Sequence, residues 1–336
     1  MSFKIMKIVM LGHSGVGKTT YMASLYAVLQ QSVQGFTLKT TVNDDHKRLI
    51  ELAENIRQGN YPLGTDQRKD YDFYLRYQGE NVLKFSWSDY RGRALTETQD
   101  SEQANLLLQD LKQADGIMIF CDSFLLNQGK VRNSQIGRMI SLINHNLKEL
   151  DHPLSISILL TKFDLLENIP TQFVKPFEGL ITTISCSNNI LGGFIPVGCG
   201  VKQINIPIPL LFILNTAVSN HYHFTQKLLV KHKLEAEEFA KNSQGFGGNI
   251  NWIVSKITGE ESNHEKAINA KAKAELHKKE WEFIKAPCES LERYIKKIPV
   301  IKSNMTIDKY TEEILAIKNS IISQRIENLD PFAVFD

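Results

Sequence analysis

Apolar and polar positions alternate along the chain in blocks. Residues 3–11 are rich in Ile, Val and Met, the make-up of a buried strand, and they end at a glycine-containing loop. Residues 18–30 then set Tyr21, Met22, Leu25, Tyr26 and Leu29 at helical spacing, so strand, loop and helix follow one another. The pattern predicts a helix over 44–58 with Asn43 as its cap, then strands over 71–77 and 82–87 joined at a turn around Gly79. Helices are predicted over 102–113, 134–150, 176–185 and 207–220, and strands over 116–121, 155–161 and 193–197. Strands alternating with helices specify an α/β fold, with a mostly parallel sheet flanked by helices.

After about residue 221 no strand-rich segment follows. Charged helices are predicted over 224–241 and 265–285, with a loop at 243–249 between them, then over 288–298 after Pro287 and over 306–328. This divides the chain into a domain at 1–220 and a C-terminal α-helical extension at 221–336. Glu235, Glu237 and Glu238 stand among Lys231, Lys233 and Lys241, the mixture of a solvated amphipathic face whose apolar side packs on the rest. Residues 266–285 are mildly basic and carry Trp281 and Phe283, so a partner-docking or membrane-surface helix is the competing reading.

With 336 residues, 42% hydrophobic and 23% charged, the chain can bury a large core. Its 39 basic and 37 acidic residues leave a charge of +2, against a dedicated nucleic-acid binder. Cys121, Cys186, Cys199 and Cys288 lack paired metal-ligand spacing and suit a reducing cytoplasm. No signal-peptide pattern precedes the first strand. The most lipid-like stretch, 190–218, is interrupted by Gly192, Gly193, Pro196, Lys202 and Pro207, and reads as a buried strand followed by a core helix.

Chemistry concentrates in three places. Gly12-His13-Ser14-Gly15-Val16-Gly17-Lys18-Thr19, followed by Thr20, has the spacing of a phosphate-binding loop. Its glycines let backbone amides turn inward around phosphates; Lys18 brings positive charge, Thr19 a hydroxyl for Mg²⁺, and the helix N-terminus a partial positive charge. A turn alone could match by chance, but not readily with a strand before it and a helix after it. Trp87-Ser88-Asp89-Tyr90-Arg91-Gly92 ends another strand, where Asp89 can hold Mg²⁺ through water and the Gly92 amide can sense a γ-phosphate. Thr161-Lys162-Phe163-Asp164 ends a third. The Asp164 carboxylate can accept two hydrogen bonds from guanine N1–H and its exocyclic amine, which adenine cannot offer, while the stem of Lys162 lies along the base.

In this order, over roughly residues 3–220, the motifs resemble the translation-factor and Ras-like class of P-loop GTPases. Asp89-Tyr90-Arg91-Gly92 and Pro62-Leu63-Gly64-Thr65 look most like the bacterial double-GTPase modules. The resemblance implies GTP/GDP as ligand, Mg²⁺ as cofactor, and a first-switch threonine completing the metal shell. Thr65 is the candidate for that threonine, with Thr40 and Thr41 as competitors. It also implies a fifth, base-contacting motif. Gly198-Cys199-Gly200 occupies that place without the usual Ser-Ala pair, which makes Cys199 the candidate, against a plain buried cysteine.

The sequence departs from the Ras-like pattern after Gly92, where Arg93 stands in place of the water-orienting glutamine. Arginine cannot accept a proton; it could stabilise γ-phosphate charge or face solvent. The expected function is therefore a Mg²⁺-dependent guanine-nucleotide switch that hydrolyses GTP slowly, with Lys18, Thr65, Gly92 and Arg93 at the reacting phosphate, and a protein effector or activator as partner. A scaffold that binds GTP without turnover is the alternative, and a P-loop kinase or ATPase is disfavoured by Asp164.

Overall fold

A computed structural model of the chain describes residues 5–63, 68–89, 102–131, 133–147, 152–166, 173–200, 202–243, 261–296 and 298–302. The strands are β1 (Met6–Leu11), β2 (Phe36–Thr40), β3 (Lys69–Tyr77), β4 (Glu80–Asp89), β5 (Gly116–Asp122), β6 (Leu154–Thr161), β7 (Ile190–Pro196), β8 (Gly198–Cys199) and β9 (Gln203–Ile204). The helices are α1 (Lys18–Val28), α2 (Asn43–Arg57), α3 (Glu102–Lys112), α4 (Ser123–Asn127), α5 (Asn133–Leu147), α6 (Glu178–Ser185), α7 (Ile208–Asn242) and α8 (Asn263–Ile295).

Seven strands make one sheet in the order β2-β3-β4-β1-β5-β6-β7. β4, β1, β5, β6 and β7 run parallel, and the β2–β3–β4 end is antiparallel. This is the mostly parallel, helix-flanked sheet that the alternating pattern implies. β5 and β6 are buried at every position, so they read as continuous apolar runs instead of alternations. Successive residues still part between two faces. Ile117, Ile119, Ile156 and Ile158 join a core with residues of α3, α5 and α6. On the other face, Phe120 meets Tyr21 of α1 edge-on at 5.5 Å. A Cβ on Gly116 would collide with Ile213, so the missing side chain lets α7 lie close against β5.

Because the central strands are parallel, β1, β4, β5 and β6 all deliver their carboxyl ends to one edge of the sheet, where ligands of open α/β folds bind. The glycine loop, Asp89, Asp122 and Thr161 therefore arrive together from segments far apart in sequence.

Several elements differ from expectation. β2 was not predicted, because FTLKT carries only two strongly apolar residues; its pairing with β3 makes it a strand. Asn43 is the first residue of α2, not its cap; Val42 holds the N-cap position in extended conformation without a side-chain hydrogen bond. The helices predicted over 207–220 and 224–241 are one, α7, since no Gly or Pro interrupts 221–223. The predicted break at Pro287 is also absent: α8 continues through it. The carbonyl that proline leaves without a donor belongs to Phe283, an exposed residue, where water can satisfy it. The predicted helix 306–328 and most of the loop 243–249 lie outside the described residues.

Contacts divide the chain into two compact units. One contains residues up to Thr216 together with those from Leu291 onward, and the other is Ala217–Ser290. In the first unit, Ile301 bridges Gly192 of β7 and is fully buried. The described residues of the second unit form an antiparallel helix pair. Tyr222 stacks on Trp281 at 5.7 Å and His232 on His277 at 5.4 Å between ring centroids. Buried Ala270, Ala274, His277, Ile284 and Cys288 follow the three-and-four spacing of a coiled-coil seam. Among the described residues, no helix is long and apolar enough to cross a membrane.

Candidate functional site

The loop after β1 has the backbone that its glycines allow. Gly15 and Gly17 adopt φ of +79° and +93°, a region that L side chains rarely occupy, and Gly17 is the left-handed N-cap of α1. At Gly12 the constraint is space: a Cβ would stand 2.8 Å from Val16 Cγ2 and 2.9 Å from Phe120 Cβ. The loop thus presents backbone amides at a helix N-terminus free of side chains, the arrangement that surrounds phosphates.

Lys18 is buried, and its ammonium donates to the carbonyls of Gly12 at 2.6 Å and His13 at 3.2 Å. Burial pulls its pKa down to about 8, while the charge of Asp89 opposes the fall. Thr19 Oγ1 donates to Asp89 Oδ2 at 3.1 Å, so α1 and β4 bring a hydroxyl and a buried carboxylate together. Both are hard oxygen donors of the kind Mg²⁺ takes, alongside waters and phosphate oxygens. The residues present fit that ion.

Thr161, at the end of β6, ties this loop to the sheet. Its hydroxyl lies 2.8 Å from the Val16 carbonyl and 3.0 Å from that of Cys121. The neighbouring Ser123 hydroxyl donates to the Thr161 carbonyl at 2.6 Å. Lys162 has a left-handed φ of +56°, and its ammonium pairs with Asp122 Oδ2 at 2.6 Å. Asp122 also accepts from the Leu125 amide at 2.9 Å, capping α4. Asp164 follows in a turn of 3₁₀ helix, and burial raises its carboxyl pKa. The β8–β9 hairpin lies beside it, with Phe163 N donating to Val197 O at 3.1 Å. Burial of the Cys199 thiol pushes its pKa up to about 12, with a hydrogen bond from Ser24 opposing.

These segments enclose one cavity of about 440 Å³. Of the residues expected to bind nucleotide, Ser14, Gly15, Gly17, Lys18, Thr19, Thr20, Thr161, Lys162, Asp164 and Cys199 line it. Gly12, Val16 and Asp89 are not on its wall but bond to residues that are: Lys18, Thr161 and Thr19. Thr65, Gly92 and Arg93 lie outside the described residues. Thr40, a competitor for the switch role, is buried at the end of β2 and donates to Val42 O at 3.0 Å; it does not line the cavity.

Several residues at the site had no individual role in the sequence reading, although Pro62, Leu63 and Gly200 lie in segments that carry the resemblance. Tyr61, Pro62, Leu63 and Gly200 line the cavity, and Asp122 holds Lys162. A carboxylate ending the apolar run of β5 was a signal for Asp122. Tyr61 and Leu63 are large exposed apolar residues in an irregular segment, where no periodicity points to them.

A glycine loop between the central strand of a parallel sheet and its first helix, with Asp89 and the Thr161-Lys162-Phe163-Asp164 segment at the same edge, is the arrangement of a P-loop nucleotide-binding fold. Residues 9–135 match the family model described as Double-GTPase 1, which supports guanine-nucleotide binding. No curated protein matches the chain. Among solved structures, the chain is similar to the signal recognition particle receptor SRb-GTP/SRX complex from Chaetomium thermophilum at 13% identity and a TM-score of 0.37, covering 59% of this chain and 92% of that one. It is also similar to the bacterial selenocysteine-specific elongation factor EF-Sec, at 16% identity and a TM-score of 0.33, over 61% of this chain and 27% of that one. The GTP-bound S. cerevisiae Ski7 GTPase-like domain is similar at 14% identity and a TM-score of 0.37, over 58% of this chain and 42% of that one.

Proposed function

We propose that the protein is a Mg²⁺-dependent guanine-nucleotide switch that hydrolyses GTP slowly. The observation that carries this reading is a single cavity lined both by the glycine loop, with Lys18 and Thr19, and by Asp164. The loop amides and the Lys18 ammonium bind the phosphates, and Asp164 accepts from the base. Thr19 and Asp89 would hold Mg²⁺, which when bound neutralises charge on the phosphate oxygens. Lys18 adds a fixed positive charge where negative charge grows as the γ-phosphoryl group leaves. The roles of Thr65, Gly92 and Arg93 at the γ-phosphate belong to the same proposal, as does output through these segments to the helical residues from 221 onward or to a protein effector.

Arg93 in place of a water-orienting glutamine favours slow turnover, and it also supports a second reading, a GTP-binding scaffold without hydrolysis. Binding of GTP, GDP and ATP to wild type, Asp164→Ala and Lys18→Ala, together with phosphate release in a single turnover, tests both. The expected result is GTP and GDP bound far more tightly than ATP, a preference lost in Asp164→Ala, and slow phosphate release abolished in Lys18→Ala. ATP competing equally with GTP in the wild type would overturn the guanine assignment. Phosphate release indistinguishable from Lys18→Ala would replace the switch by the scaffold.

A further inference from the structure

β8 (Gly198–Cys199) and the bend that follows it at Gly200 run past Asp164, and both glycines lie against that residue. What a methyl group would meet differs between them. At Gly198 a Cβ would stand 2.8 Å from the carbonyl oxygen of Lys202 and 2.9 Å from Asp164 Cβ. That is backbone and the root of a side chain, neither of which can turn aside. At Gly200 a Cβ would collide with Asp164 Oδ2, and would stand 3.3 Å from the Tyr61 hydroxyl and 3.4 Å from Asp164 Cγ. These are the outer ends of two side chains that line the cavity, and the carboxylate can rotate away.

We propose that Gly200 is a specificity-determining position: its missing side chain leaves the room in which the Asp164 carboxylate stands to read the base. The inference rests on the guanine reading of Asp164. A methyl at 200 turns the carboxylate without dismantling the fold, so base recognition and stability separate there. At 198 they fall together, because the hairpin backbone itself has to move. Two acceptor oxygens must face N1–H and the exocyclic amine at once, and a rotated carboxylate cannot satisfy both. The phosphate end of the cavity, built from residues 12–19, is left as it was.

Dissociation constants for GDP, inosine diphosphate and ADP, with pyrophosphate as a competitor and thermal melting as the control, test this on the full chain. Inosine diphosphate keeps N1–H and lacks the exocyclic amine, so its ratio to GDP reports the two-point contact. Gly200→Ala is expected to weaken GDP by roughly 10–100-fold, the worth of a hydrogen bond to a charged group, and to bring the GDP-to-inosine ratio close to one. Pyrophosphate competition and the ligand-free melting temperature should stay at wild-type values. Adding Gly200→Ala to Asp164→Ala should weaken GDP no further, because both act through one carboxylate. A wild-type GDP-to-inosine ratio in Gly200→Ala overturns the proposal, as does equal loss of GDP and pyrophosphate. A wild-type protein that does not distinguish GDP from ADP instead removes the guanine reading beneath it.

Discussion

Replacing Thr161 by valine separates hydrogen bonding from packing at the junction between the phosphate loop and the sheet. The side chain is buried, and its hydroxyl reaches the carbonyls of Val16 and Cys121 at 2.8 Å and 3.0 Å. Valine keeps the volume but removes the single hydroxyl proton that these two carbonyls share, at a cost of about 1–3 kcal/mol for a buried hydrogen bond left unmade. Serine keeps the hydroxyl and loses one methyl, at a cost of about 1 kcal/mol. For a unit of this size, about 2 kcal/mol corresponds to a fall of roughly 4–8 °C in melting temperature. The expected order of stability, by calorimetry on ligand-free protein, is wild type, then Thr161→Ser, then Thr161→Val. GDP affinity should drop in the valine variant as well, because Val16 belongs to the loop. Packing alone predicts the opposite order, since valine fills the site and serine leaves a void. A valine variant that melts with wild type, or a serine variant below it, would refute the reasoning.

Lys18 makes a pH prediction. Its pKa is depressed from the ordinary 10.5 to about 8 by burial, so between these values the unfolded chain binds more protons and ligand-free stability rises with pH. Over that window the contribution is about 3 kcal/mol, read as the difference in unfolding free energy between wild type and Lys18→Met; a difference that does not change from pH 8 to 10.5 would count against it. Phosphate binding needs the ammonium, so GDP affinity should weaken with pH above about 8 in wild type and stay flatter in Lys18→Met. Asp122→Asn retains an acceptor for the Leu125 amide but removes the charge facing Lys162, whose side chain is 40% exposed. Stability should change by less than about 1 kcal/mol because solvent screens the pair, while GDP affinity falls as Lys162 leaves its left-handed pose. Unfolding midpoints and GDP titrations against Asp122→Ala, which also loses the cap, check this.

What could be read from the sequence was local. The strand before Gly12, the helix after Lys18, the alternation that makes an α/β sheet and the apolar run into Asp164 are all written in short-range spacing, and each reappears at its place. Features that depend on partners distant in sequence were not legible. β2, for one, is a strand because β3 pairs with it. Asp122 and Tyr61 carry no motif of their own, and Gly200 stands in the Gly198-Cys199-Gly200 segment with no role that spacing assigns to it. Their roles come from what the parallel order of β1, β5 and β6 sets beside them: a lysine ammonium 2.6 Å away in one case, a carboxylate with no room for a methyl in another. Periodicity and motif spacing reflect the few residues around each position and therefore determined the elements and the phosphate loop. Distances between strand ends depend on sheet order, which no local pattern contains, so the tertiary structure alone decided how Asp164 is seated and what holds Lys162.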